Sequence, residues 1–135
     1  MLKADLEFEQ LRGEFVESLE ERHERWGFIL LQFKQGDFPS PLQDALGIAH
    51  KLAGSAGSYG FPFLSDLACA IEDIISLDLE NLPLGKLLFW SELLAEALKL
   101  AVESGKDPIA LKQDLRWSEL RSFVEVLRDE ASFES

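Results

Sequence analysis

Two histidines are the side chains of this sequence best suited to nucleophilic chemistry, and one of them, His50, stands in an unusual setting. On a helix, Gly54 and Gly57 would lie within about 40° of His50, and Gly47 and Ala53 within about 60°. Surface helix positions normally carry long polar side chains, and each glycine costs a helix about 1 kcal/mol relative to alanine. The spacing therefore favours an exposed histidine that another macromolecule approaches closely. The alternative is that these small residues pack the helix against a neighbouring helix.

The other candidate residues point to no second site. His23 lies between Arg22 and Glu24 without any glycine-lined surroundings, so we expect a residue at the surface or boundary of its helix. The two histidines fall on different helices with no third ligand suggested nearby, so no metal site is predicted. Cys69 is expected to be a small core residue.

Helical periodicity runs through the whole chain and must position these residues. Apolar side chains recur mostly three, four or seven residues apart, and no stretch alternates with a period of two, so an all-α fold is predicted. The first three predicted helices are 4–34, about 41–58 with Ser40 as its N-cap, and 63–76. A fourth helix follows a short loop that contains Asn81 and Pro83, and runs to about residue 103. A fifth lies within 107–131, and its apolar stripe is Leu115, Leu120, Phe123, Val124 and Leu127.

The connections between the predicted helices are short. Gly60 is expected to end the second helix in the left-handed conformation, and Pro62 stands where the third helix can begin. Short connections between long amphipathic helices imply antiparallel neighbours. We therefore predict an antiparallel up-and-down four-helix bundle with an additional C-terminal helix. The 135 residues are expected to form a single domain, with a core over about residues 8–102 and the extra helix over about 107–131.

Composition and charge restrict the classes of partner. Acidic residues outnumber basic ones 25 to 13, so the formal net charge is −12. A chain this acidic is repelled by phosphate backbones and anionic lipid, and neither nucleic acid nor a membrane is predicted as a partner. A single cysteine excludes an intramolecular disulfide and fits a reducing compartment. With no apolar run long enough to span a membrane and no signal-peptide pattern, a soluble cytoplasmic domain is expected.

Residues 50–61, HKLAGSAGSYGF, resemble the core motif of the histidine-containing phosphotransfer (HPt) domain family. The family pattern is His-x-Leu-Lys-Gly, followed by a glycine ten residues after the histidine, and the two glycines here are Gly54 and Gly60. A long amphipathic helix precedes the motif, and a helix that opens with Leu64-Ser65-Asp66-Leu67-Ala68 follows it. The resemblance covers about residues 8–102.

The resemblance implies a four-helix bundle whose exposed His50 accepts a phosphoryl group and exchanges it with the aspartate of a response-regulator receiver domain. Glu72, twenty-two residues after the histidine, is expected to hydrogen-bond and orient the imidazole. Gly54 corresponds to the small residue that lets the receiver domain approach the histidine closely. The family's phosphate-neutralising lysine corresponds to Ala53 here, and Lys51 would replace it only in part. The residues expected to contact the partner are Gly47, Lys51, Ala53, Gly54 and Gly57.

A protein of this kind is a phosphocarrier and not an enzyme. No cofactor is expected on this chain, because the receiver would supply both Mg²⁺ and the aspartate. An upstream histidine kinase is the second expected partner. One alternative is the N-terminal phosphoacceptor domain of a chemotaxis-type histidine kinase, which adds a fifth helix and uses glutamate at the position of Glu72. Another is a helical adaptor that uses the same surface without phosphorylation.

A catalytic histidine kinase is not favoured. His50 is followed by Lys51 and not by an acidic residue, and the sequence has no glycine-rich nucleotide-binding segment.

Overall fold

The computed structural model describes residues 3–77 and 83–134, and every regular element in these ranges is helical. The five α-helices are α1 (Lys3–Lys34), α2 (Pro39–Ser55), α3 (Pro62–Leu77), α4 (Leu84–Ser104) and α5 (Leu115–Glu134). A 3₁₀ turn (Ala56–Tyr59) extends α2, and a second one (Ile109–Gln113) precedes α5. The prediction of an all-helical fold is confirmed; Asn81, expected in the loop before α4, lies outside the described residues. None of the described helices is both long and apolar enough to cross a membrane.

The two ends of α2 show one prediction that is wrong and one that is confirmed. Ser40 is not the N-cap, because α2 begins at Pro39 and Phe38 occupies the cap position without any side-chain hydrogen bond. The ring of Phe38 instead stacks on Phe33 at 5.1 Å between centroids, so apolar packing and a proline in the first turn define this helix start. At the other end Gly60 has φ 88°, the left-handed conformation expected of it.

Helices α1 and α4 pack against each other. The buried indole of Trp26 donates a hydrogen bond from Nε1 to the carbonyl oxygen of Ser91 at 2.8 Å. Nearer the start of α1, Arg12 donates to the carbonyl oxygens of Tyr59 at 3.1 Å and Gly105 at 2.8 Å. Arg12 thereby satisfies carbonyl groups at the C-terminal ends of two other segments and fixes the corner at which the chain turns from α2 into α3.

Helix α5 packs against both α3 and α4. Arg128 pairs with Asp73 of α3, and the ring of Trp117 meets Phe63 edge-on at 5.2 Å. Leu120, Val124 and Leu127 are buried as predicted. The prediction that Leu115 belongs to the same apolar stripe is wrong, because its side chain is 83% exposed. Leu115 is the first residue of α5, so its side chain precedes the part of the helix that contacts the bundle.

The N-terminus of α3 is capped by a carboxylate that lies more than forty residues away in sequence. The backbone N–H groups of Phe63 and Leu64 donate to the two carboxylate oxygens of Asp107, at 2.9 and 3.1 Å. These N–H groups have no partner within the helix, and a negative charge at this end also favours the helix dipole. Asp107 therefore ties the connection before α5 to the helix that carries Glu72.

We expect Asp107→Ala to lower the free energy of unfolding by about 1–2 kcal/mol, the usual cost of losing an N-cap carboxylate. Urea denaturation followed by circular dichroism measures the change. Asp129→Ala, at an exposed position of α5, is the matched control and should leave stability nearly unchanged. Equal unfolding free energies for wild type and Asp107→Ala would show that the cap contributes nothing.

Candidate functional site

The face of α2 that points away from the core carries His50. Ala45, Ala49 and Leu52 on the opposite face, and Ala56 in the 3₁₀ turn that follows, are fully buried. The side chain of His50 is 76% exposed. Helix α2 packs against α3 on one side and α1 on the other, so His50 stands between these two helices and reaches solvent.

Glu72 of α3 lies against the imidazole of His50. The ring Nδ1 and Glu72 Oε2 are 2.5 Å apart, and the Glu72 side chain is only 23% exposed. Because α2 and α3 turn back on each other at Gly60, residues at similar distances on either side of this turn come level. A carboxylate that accepts a hydrogen bond from Nδ1–H fixes the tautomer in which Nε2 carries a free lone pair. The geometry thus presents Nε2 as a nucleophile at the protein surface.

The glycines around His50 are not required by packing within the chain. A Cβ atom added at Gly47 or Gly54 would meet nothing within 4 Å, apart from each glycine's own helix backbone and chain neighbours. One added at Gly57 would make only ordinary contact with Ser65, at 3.7 Å from Oγ. These positions therefore leave open space beside the histidine, which is what close approach by another molecule needs.

The remaining two residues expected at the partner surface lie on opposite sides of His50. Ala53 is half-buried on the α3 side, where its carbonyl oxygen accepts a hydrogen bond from Ser65 Oγ at 2.8 Å. Lys51 is exposed on the α1 side and lines a groove there. The structure therefore brings together His50, Glu72 and the five expected contact residues on one surface.

A family model of the Hpt domain matches residues 10–129. The chain belongs to the Hpt domain family. Hpt domains are phosphocarrier modules that act by histidine phosphotransfer in phosphorelay signalling, together with histidine kinases and response regulators. No match was found among curated proteins, and none among solved structures.

Sequence reasoning missed two residues of this Hpt domain that lie beside the site. Arg22 and Arg25 of α1 line the same groove as Lys51 and Gly47. Both arginines belong to a stretch of alternating charge that is typical of a solvated helix face. Nothing in their spacing reveals that this face lies next to His50, because that depends on which helices become neighbours.

His23 and Cys69 are the other potentially reactive side chains of the Hpt domain. His23 is half-buried in α1, and within residues 3–77 and 83–134 no group of three or more His, Cys, Asp or Glu could hold a metal ion. Cys69 lines a groove between α3 and α5 and is less buried than predicted. Partial burial, reinforced by the nearby Asp73 carboxylate, raises the pKa of the Cys69 thiol and makes it a poor nucleophile.

Proposed function

We propose that this Hpt domain accepts a phosphoryl group on Nε2 of His50 and exchanges it with the aspartate of a response-regulator receiver domain. The observation that carries this proposal is the exposed imidazole, whose Nδ1 is held by Glu72 at 2.5 Å while glycines leave its surroundings open. A histidine buried in the core or surrounded by long side chains could not meet an aspartyl phosphate inside another protein.

The chemistry requires little of this chain beyond positioning. The lone pair of Nε2 attacks phosphorus, a P–N bond forms, the P–O bond of the aspartyl phosphate breaks, and the aspartate leaves with the electron pair as a carboxylate. The proton on Nδ1 stays on the ring, where Glu72 accepts its hydrogen bond and stabilises the positive charge that develops on the imidazole. Mg²⁺ and the aspartate are proposed to come from the receiver, with no cofactor held by this chain.

The receiver is proposed to dock on the surface formed by Gly47, Lys51, Ala53, Gly54 and Gly57. A histidine kinase upstream would supply phosphate to the relay. The formal net charge of −12 argues against nucleic acid or anionic membrane as a partner. The single cysteine supports a cytoplasmic location, which stays a prediction.

We also propose that α1 to α4 form an up-and-down antiparallel four-helix bundle, with α5 as an added helix, in one domain whose core spans about residues 8–102. In support, Arg12 and Trp26 of α1 contact Gly105 and Ser91, so residue numbers rise along α1 as they fall along α4. The same reasoning applies to α1 and α2. Arg12, near the start of α1, contacts Tyr59 just after α2, and Phe33, near the end of α1, contacts Phe38 just before α2, so these two helices also run in opposite directions.

The chemotaxis-type alternative shares the acceptor chemistry and differs in the phosphate donor. Helix α5 and the glutamate at position 72 both favour this class, in which the chain would be the phosphoacceptor domain of a larger kinase. Phosphate would then arrive from a kinase domain of the same protein and leave to a receiver.

The test is incubation of the chain with receiver domains that have been phosphorylated by acetyl phosphate in the presence of Mg²⁺. We expect one acid-labile, base-stable phosphate per chain by intact mass. Incubation with phosphoramidate, a small donor that needs no protein partner, provides a second route to the same product. Receiver binding without phosphate uptake from either donor would contradict the proposal and identify a non-phosphorylated adaptor.

Glu72→Ala is expected to slow phosphate uptake from the receiver by roughly tenfold to a hundredfold, since the imidazole loses the group that fixes its tautomer and orientation. Glu72→Gln retains a hydrogen-bond acceptor and should lose less. Quench-flow measures the rate, and circular dichroism checks the fold. Asp66→Ala, an exposed acidic position on the same helix, is the matched control. An unchanged rate in Glu72→Ala would mean that His50 works without an orienting carboxylate.

A further inference from the structure

A groove of about 380 Å³ runs between α1 and α2 beside the face that carries His50. Three cationic side chains line it: Arg22 and Arg25 of α1, and Lys51 of α2. Two carboxylates, Glu21 and Asp44, line it as well. The groove is therefore net positive, on a chain whose formal net charge is −12.

None of these three cations has an ion-pair partner within the described part of the chain. Lys34, Lys86, Arg116 and Arg128 each pair with a carboxylate there. In addition, Arg22 Nη1 is buried and has no hydrogen-bond partner among the described residues. A buried guanidinium N–H without a partner is costly, and an acceptor from outside the chain, a water or an anion, would satisfy it.

The groove lies beside His50, on the side of α2 away from Glu72. Nδ1 is held by Glu72, which lies on α3. Nε2 is the ring nitrogen that Glu72 leaves free, on a side chain that is 76% exposed. The groove adjoins His50, because it includes Gly47, one helical turn before this histidine, and Lys51, the next residue.

We propose that Arg22, Arg25 and Lys51 bind the phosphoryl oxygens of phosphorylated His50 and so replace the cation that is missing at Ala53. This inference rests on the proposed function. Phosphoryl oxygens are strong acceptors for guanidinium and ammonium groups, and the phosphoryl dianion is the species that three cations favour. The cation at position 53 would stand on the α3 side of His50, whereas these groups act from the α1 side.

The experiment uses the chain phosphorylated by phosphoramidate and follows the second ionisation of the phosphoryl group by ³¹P NMR. Nearby positive charge favours the dianion, so the double variant Arg25→Gln/Lys51→Gln should titrate at a higher pH than wild type, by about one pH unit. The charged groups around the phosphoryl position, all of which enter this comparison, are Glu21, Arg22, Arg25, Asp44, Lys51 and Glu72.

Two further variants make the result specific. Arg25→Gln/Lys51→Arg keeps one of the two positive charges, so its midpoint should return about half of the way to that of wild type. Lys99→Gln removes an exposed lysine on α4 and should titrate as wild type does. Arg22 is left intact because its guanidinium lies over the ring of Phe15, at 5.7 Å from the centroid, and its loss could disturb packing.

A phosphorylated wild type and a double variant with the same titration midpoint would overturn this inference and leave the proposed function standing. The same holds if the midpoint is unchanged while only receiver affinity falls, since the cations would then serve carboxylates of the partner. If wild type takes up no phosphate from phosphoramidate or from a receiver, both the proposed function and this inference fail.

Discussion

The His50→Gln variant is expected to take up no phosphate from a phosphorylated receiver, a histidine kinase or phosphoramidate. Glutamine is close to histidine in size and polarity but has no nucleophilic lone pair on nitrogen, so the P–N bond cannot form. Because the side chain of His50 is 76% exposed and hydrogen-bonds Glu72 at the surface, the substitution should leave the fold and the receiver-binding surface intact. Intact mass before and after acid treatment measures the loss, which should be complete.

The matched control is His23→Gln, which removes the other histidine of the chain. His23 lies half-buried in α1, and its replacement should leave the amount of bound phosphate unchanged. Phosphate uptake by His50→Gln at the wild-type level, or its loss in His23→Gln with the fold retained, would show that the acceptor has been assigned to the wrong residue.

The sequence predicts the part of this site that depends on local periodicity. Residues three or four apart share a helix face, so the exposure of His50 opposite Ala45 and Leu52 follows from α2 alone. Gly60 fixes where α2 and its 3₁₀ extension end, and two helices that meet at a tight turn must run side by side. That register explains why Glu72 falls level with His50.

The features that sequence reasoning missed depend on contacts between distant segments. Asp107 caps α3 from another connection, and Phe38 stacks on Phe33 to define the start of α2. Arg22 and Arg25 lie beside His50 only because α1 is the neighbour of α2 on that side. Periodicity identifies the apolar face of each helix, but it does not predict which helices become neighbours. The charged residues Arg22 and Arg25 therefore look like ordinary solvated surface in the sequence.

Gly54→Gln is expected to reduce phosphoryl exchange with the receiver by about thirtyfold, as for the loss of an interface hot spot that contributes about 2 kcal/mol. The long side chain would project from the surface beside His50 and hold the receiver away. Stability should rise by up to about 1 kcal/mol, because glycine is the poorer helix former and the added Cβ meets nothing within 4 Å. A stabilised protein with lower activity is the opposite of what disrupted packing produces.

Gly54→Ala separates the two effects, since it gives the same helix-propensity gain with little added bulk. It should be as stable as Gly54→Gln and retain most of the exchange rate. Uptake from phosphoramidate, which needs no docking surface, should be the same in both variants and in wild type. If Gly54→Gln exchanged phosphate with the receiver at the wild-type rate, the receiver would have to approach His50 from another direction. A loss of stability in Gly54→Ala would instead mean that this glycine serves the fold.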